Sequence, residues 1–168
     1  MSSQLTLRNL LPSDLPTVRA WLRDYIQQHR AWWSDAYGTA PAAALDEVVA
    51  SELADLAKDA EREGYFVQLL APDSGPGTAA GPPVGIVLAR LQTDRFMGLQ
   101  VGTLGWIYVD PPSRGSGAAD RLMNAAESWF TDRAAEGRMV FVTGANAQAV
   151  RMYERHGYQV VDFRMLKP

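Results

Sequence analysis

There is no cysteine in this chain, which excludes disulfides, thiolate metal sites and any acyl-cysteine intermediate. Histidine is almost as scarce. His29 and His156 stand far apart and have no partners at metal-ligand spacing, so no metal is expected. Positive charge never gathers into a Lys/Arg-rich block and the net charge is −3, which gives a nucleic-acid partner no support. Long apolar runs are missing too. No stretch approaches the length of a membrane span, and the opening Met-Ser-Ser-Gln-Leu-Thr-Leu-Arg holds no apolar signal region. The chain is therefore expected in the cytoplasm, with no membrane partner.

What is present is an ordinary globular composition. Hydrophobic residues make up 47% of the 168 positions and charged ones 21%. That length suits one domain, residues 1–168, with a full core. The slight acidic excess would suit a cationic or amine substrate but is too small to decide anything.

Leu5 and Leu7 alternate with Thr6 and Arg8 and predict a short strand. Ser13 or Asp14 can cap the helix after it, whose apolar stripe is Val18, Trp21, Leu22, Tyr25 and Ile26. From Gln28 to Tyr37 the periodicity dissolves. A second helix is predicted after Pro41, with Leu45, Val48, Val49, Leu53 and Leu56 facing inward and Glu47, Glu52, Asp55, Asp59 and Glu61 outward. Strands are expected over 65–70, 84–91 and 100–109, and the Pro/Gly-rich stretch 72–83 reads as a hairpin loop. Then come a helix over 118–135, a short buried strand over 139–142, a helix over 147–156 and a closing strand over 158–165. The order is βααβββαβαβ. Hairpins make the early strands antiparallel, while strand–helix–strand crossovers after Val109 demand parallel pairing. The expected fold is α/β (α+β), a mixed, mostly antiparallel central sheet with helices on both faces.

The most informative stretch runs from Leu104 to Leu122. Its apolar run Trp106 to Val109 ends at Pro111-Pro112, and Arg114-Gly115-Ser116-Gly117-Ala118-Ala119 then leads into Leu122, Met123, Ala126, Trp129 and Phe130 at helical spacing. A small-residue loop thus joins a strand to a helix. Free amides there, with the positive end of the helix dipole, can hold phosphate or pyrophosphate. Small residues are needed because a Cβ would hold the ligand off the backbone. The loop lacks the Lys-Ser/Thr ending of a nucleotide P-loop and the spacing of a dinucleotide fold.

Arg114, Gly117 and Ala119 match Arg/Gln-x-x-Gly-x-Gly/Ala, and Val109-Asp110-Pro111 precedes them. Downstream, Asn146, Ala149, Tyr153, Gly157 and Tyr158 match Asn-x-x-Ala-x-x-x-Tyr-x-x-x-Gly-Phe/Tyr, one helix and one strand later. In both motifs the chain resembles the GNAT family of N-acetyltransferases, whose acyl-CoA N-acyltransferase fold has the element order above. The resemblance covers roughly 104–163; the first hundred residues fit by element order alone.

The resemblance implies acetyl-CoA as co-substrate, no metal, and a small-molecule or peptide amine as acceptor. It puts the pantetheine arm on the backbone of Ile107, Tyr108 and Val109, and the pyrophosphate on amides of Gly115, Ser116, Gly117, Ala118, Ala119 and Asp120, with Arg114 nearby. A carboxylate at Asp120 suits the first helical turn and is expected to face solvent. Asn146 is a natural N-cap and, by resemblance, also lies near the CoA arm. Tyr153 is the expected catalytic residue: a phenol in reach of the sulfur can protonate the departing thiolate, and its ordinary pKa near ~10 suits an acid at neutral pH. Trp32, Trp33, Asp35 and Tyr37 fall in the expected acceptor loop, and Trp106 lines the same cleft or fills the core beside Leu104 and Tyr108. Aromatics with a carboxylate could hold a cation there. Relatives often carry a Glu at or near Gly105, whereas Leu104-Gly105-Trp106 offers none, so the general base is unassigned. A catalytically silent acyl-CoA-binding module and a nucleotide-phosphate enzyme stay open as rivals, as do the acceptor and a homodimer.

Overall fold

Alternating Leu5 and Leu7 lie in strand β1 (Leu5–Asn9) of the computed structural model, which describes residues 4–73 and 81–167. A 3₁₀ turn, Pro12–Asp14, leads into α1 (Leu15–Tyr37). Asp14 occupies the N-cap position, but neither it nor Ser13 caps the helix through its side chain. The Asp14 carboxylate instead accepts two bonds from the Arg8 guanidinium, at 2.7 and 2.8 Å, and one from the Leu11 amide at 2.9 Å. Burial pushes its pKa up, yet these donors together outweigh burial and hold the group below the usual carboxylate range.

α1 also runs on through 28–37, where regular periodicity is hard to see in the sequence. Tyr25, His29, Trp32, Trp33 and Tyr37 continue a stripe at three- and four-residue spacing, so the helix keeps a face beyond its aliphatic part. Gly38, at φ +65°, ends it. α2 (Leu45–Asp59) follows as predicted, with Asp46 and Glu47 in its first turn and Lys58 in its last, matching the helix dipole.

Strands β2 (Tyr65–Pro72), β3 (Gly85–Thr93) and β4 (Gln100–Val109) pair antiparallel, with β1 on β2. The hairpin loop expected over 72–83 lies largely outside the described residues, which omit 74–80. α3 (Ala118–Asp132) then stops short of the expected Ala135. β5 (Gly137–Val140) is displaced from the expected 139–142 and only half-buried, with Phe141 and Val142 exposed. α4 (Ala147–Arg155) ends one position before His156.

The five strands lie in the order β1-β2-β3-β4-β5, and β5 is parallel to β4. Each face of this sheet carries its own core. Val18, Trp21, Leu22 and Ile26 of α1 and Val49 and Leu56 of α2 pack on Val67, Leu69, Ile86, Trp106 and Tyr108. On the other face Leu122, Met123, Ala126 and Phe130 of α3, with Met152 and Tyr153 of α4, cover Leu70, Val87, Ala89 and Leu104. The mixed, mostly antiparallel sheet with helices on both faces is as expected.

The closing strand over 158–165 is not formed. Val160, Val161, Phe163 and Met165 are all exposed, on both sides of the alternation. Alternating side chains supply a strand's two faces but not the partner its backbone must pair with. No described helix is long and apolar enough to cross a membrane.

Candidate active site

β4 is flanked differently along its two halves. From Val101 to Leu104 it lies between β3 and β5, the last parallel pair being Leu104 with Val140. Residues 105–109 keep β3 on one side and have no strand on the other among the described residues. A β-bulge divides the halves: Leu88 faces Trp106 while Ala89 faces Leu104, so Gly105 is the extra residue. It reverses the alternation. Leu104 packs with α3 and α4, whereas Trp106 joins Tyr108 under α1, which corrects the expectation that Trp106 shares the side of Leu104. Gly105 itself is exposed.

The open half of β4 runs into a 3₁₀ turn, Pro111–Ser113, and then into the loop before α3. Gly115 and Gly117 have φ of +78° and +81°, a region side chains resist, and a Cβ on either would point into open space. Ser116 Oγ donates to the Ser113 carbonyl at 2.6 Å. The first main-chain bond of α3 runs from the Arg121 amide to the Gly117 carbonyl at 3.1 Å. The amides of Gly115, Ser116, Gly117, Ala118, Ala119 and Asp120 therefore have no protein acceptor among the described residues. Unpaired donors at a helix N-terminus favour negative charge beside them.

Arg114 braces this loop from outside. Its Nε donates to the Val109 carbonyl at 3.0 Å, and its guanidinium lies 5.5 Å from the Tyr108 ring centre. Tyr108 in turn donates to Asp24 at 3.2 Å; burial first, and this carboxylate second, push its pKa up. Trp21 Nε1 donates to Asp110 at 3.1 Å, tying α1 to the turn. Asp120, expected to face solvent, is half-exposed and sits 3.0 Å from His156 Nε2. The C-terminal end of α4 packs beside the first turn of α3 and supplies an imidazole there.

α4 brings the downstream residues. Asn146 is its N-cap, with Oδ1 accepting from the Ala149 amide at 3.2 Å. Tyr153 is 8% exposed on the α3 side of the sheet, and its hydroxyl has no hydrogen-bond partner among the described residues. Burial, and secondly the Tyr25 phenol, push its pKa up to about 12. Tyr25 belongs to α1, on the opposite face.

The expected acceptor loop is instead helical: Trp32, Trp33, Asp35 and Tyr37 form the last turns of α1. They do not converge as one group. The Tyr25 ring lies 5.7 Å from Trp106 and 4.1 Å from His29, which is 5.0 Å from Trp32, so Trp32 and Trp106 belong to one row of rings, which continues through Tyr108 to Trp21. Trp33 and Tyr37 pair at 5.9 Å, with the Arg164 guanidinium 5.7 Å over Trp33. Asp35 is exposed and takes no hydrogen bond or ion pair among the described residues. Tyr25, His29 and Glu52, whose charge raises the Tyr25 pKa after burial, were not singled out from the sequence as site residues. For Tyr25 and His29 the signal was the ring-bearing stripe along α1; Glu52, on α2, had none. No group of three His, Cys, Asp or Glu that could hold a metal occurs among the described residues.

No curated protein matches the chain. Several solved structures share its fold. An acetyltransferase from Trypanosoma brucei is 21% identical with TM-score 0.66, over 98% of this chain and 99% of that one. An aminoglycoside N-acetyltransferase solved in complex with CoA is 17% identical with TM-score 0.68, over 100% of this chain and 96% of that one. Glucosamine-6-phosphate N-acetyltransferase from Arabidopsis thaliana is 12% identical with TM-score 0.62, over 98% of each chain. Residues 18–158 match the description Acetyltransferase (GNAT) family, a span that takes in α1 from Val18 onward, α2, all of the open strand, the loop and α4. A match of that extent, on this fold, decides the matter: the chain belongs to the GNAT family of acetyltransferases.

Proposed function

We propose that this acetyltransferase takes its acetyl group from acetyl-CoA and transfers it to a primary amine of a small molecule or peptide. The observation that supports this best is the continuity of the unpaired half of β4 with a loop of unpaired amides. A peptide-like arm can add itself to residues 105–109 as a strand would, while a pyrophosphate meets the amides of 115–120. The residues fit the group: both glycines are in the left-handed region with their Cβ side open, and the Asp120 carboxylate is engaged by His156.

Bound there, acetyl-CoA supplies an activated thioester. The chain's part is to position it, to polarise the carbonyl with backbone N–H groups of open β4, and to manage protons. Tyr153, kept protonated by burial, donates its phenol proton to the sulfur as the carbon–sulfur bond breaks. Arg114 holds the loop and adds positive charge beside the phosphates. Asn146 starts the helix that delivers Tyr153. No covalent enzyme intermediate is required, in keeping with the absence of cysteine.

Calorimetric titration with acetyl-CoA, alongside ATP and NAD, tests the donor. Micromolar or tighter binding of acetyl-CoA alone is expected; equal or preferred binding of ATP or NAD, or no binding at all, overturns the proposal. Binding without turnover of any amine would leave a silent acyl-CoA-binding module.

A further inference from the structure

The acceptor amine must lose a proton, and the strand position at Gly105 carries no carboxylate to take it. Asp24 is engaged by Tyr108, and Asp35 stands apart from the row of rings. One nitrogen in that row is differently placed. His29 Nδ1 lies 2.9 Å from the Tyr25 carbonyl oxygen, one turn back along α1. A carbonyl only accepts, so Nδ1 carries the hydrogen, and in the neutral ring the lone pair is on Nε2. Nε2 has no partner among the described residues, and the half-buried ring is pinned between Tyr25 at 4.1 Å and Trp32 at 5.0 Å. Its orientation is fixed before any substrate arrives. The same Tyr25 ring is 5.7 Å from Trp106, the residue next to the bulge, and its phenol senses Tyr153.

The geometry points to His29 Nε2 as the general base for the acceptor amine, in a role that rests on the transferase reading above. The bound ammonium gives one proton to Nε2, which later releases it to solvent. The freed lone pair forms the carbon–nitrogen bond at the thioester carbon. The carbon–sulfur bond breaks, the thiolate takes the Tyr153 proton, and the second nitrogen proton restores the phenol. Against His29 the titratable group is Tyr25 on its own helix; Tyr25 in turn is influenced by Glu52 on α2, exerts an influence on Tyr153 of α4, and meets Trp106 of β4, which carries no charge. Imidazole can both take and release a proton, which is what a general base must do in each turnover.

The test is His29→Asn beside Glu52→Gln, assayed with tyramine, tryptamine and spermidine as amine probes. Asn can keep a donor near the Nδ1 position, so folding and acetyl-CoA affinity are expected to stay at wild-type values. Its kcat is expected to fall about a hundredfold or more, with loss of the acidic limb of the pH–kcat profile. Nitrogen NMR of the wild-type imidazole should show the hydrogen of the neutral ring on Nδ1. An Nε2–H tautomer, a kcat loss under about threefold in His29→Asn, or an acidic limb removed by Glu52→Gln and kept by His29→Asn would each overturn the assignment. Wild-type protein that binds acetyl-CoA and acetylates none of the probes overturns the transferase reading itself, a different failure.

Discussion

The two halves of β4 share a strand and differ in nearly everything else. From Val101 to Leu104 each residue has a strand on both sides, and Gly102 is packed so closely under Phe130 of α3 that a Cβ there would overlap the ring. From 105 to 109 one side is unpaired, Gly105 is exposed, and the strand runs on into unpaired amides. The first half spends its hydrogen bonds and volume on the fold. The second leaves backbone groups unmatched, which a protein tolerates only where something else comes to match them. The bulge at Gly105 marks the boundary, and it turns Trp106 and Tyr108 toward the ring-lined side.

If that division is sound, substitutions at the open half should change chemistry or ligand affinity and leave stability alone, and those at the paired half should do the opposite. The largest effect is expected from Tyr153→Phe, with kcat lowered by about 10²–10⁴-fold and acetyl-CoA affinity kept, read by steady-state kinetics beside calorimetry. A variant with unaltered kcat would take the phenol out of the mechanism and weaken the case for a catalytic opening. Next comes Gly117→Glu, which places a carboxylate among the free amides at a residue with φ +81°. Acetyl-CoA affinity should drop well over tenfold, more than about 1.4 kcal/mol, in a protein whose circular dichroism still shows the native fold. Unchanged affinity would remove the loop from the site.

Gly102→Ala probes the other half. Forcing a methyl group against Phe130 should cost about 1–3 kcal/mol, seen as a lower thermal midpoint, while the Michaelis constant for acetyl-CoA stays near wild type. Loss of affinity without loss of stability there would erase the contrast. The smallest effect is expected from Asn146→Ala, which removes the cap of α4 and should cost about 1 kcal/mol in thermal or urea unfolding. An affinity loss larger than that stability loss would give Asn146 a ligand role beyond capping.

The same contrast explains what could be read beforehand. Sites made of main chain write themselves into sequence, because glycine at left-handed φ and an N-cap asparagine are local demands. Gly115 and Gly117 stand out as small residues that let a ligand approach the backbone, and their left-handed φ is a finding of the structure; Asn146 reads as an N-cap and is one. Sites made of side chains do not. His29 looks like an isolated histidine until the helix carries it onto Tyr25, and Trp106 takes the opposite face once one extra residue enters the strand. Asp14 resembles a cap by position, yet Arg8, a strand away, claims its carboxylate. The tail from 158 alternates like a strand, but no partner lies beside it among the described residues.

The sequence by itself therefore determined the order of elements as far as α4, the antiparallel hairpins followed by a crossover, and the loop between Val109 and Leu122. Periodicity, helix breakers and left-handed glycines are properties of neighbouring residues, and the chain carries them wherever it folds. Only the tertiary structure decided that β5 stops pairing at Val140, that the bulge falls at Gly105, and that Tyr25 of one face helps to raise the pKa of Tyr153 on the other. Those depend on which surfaces meet across long stretches of chain, and burial chooses among such meetings by total fit rather than by any one residue's preference.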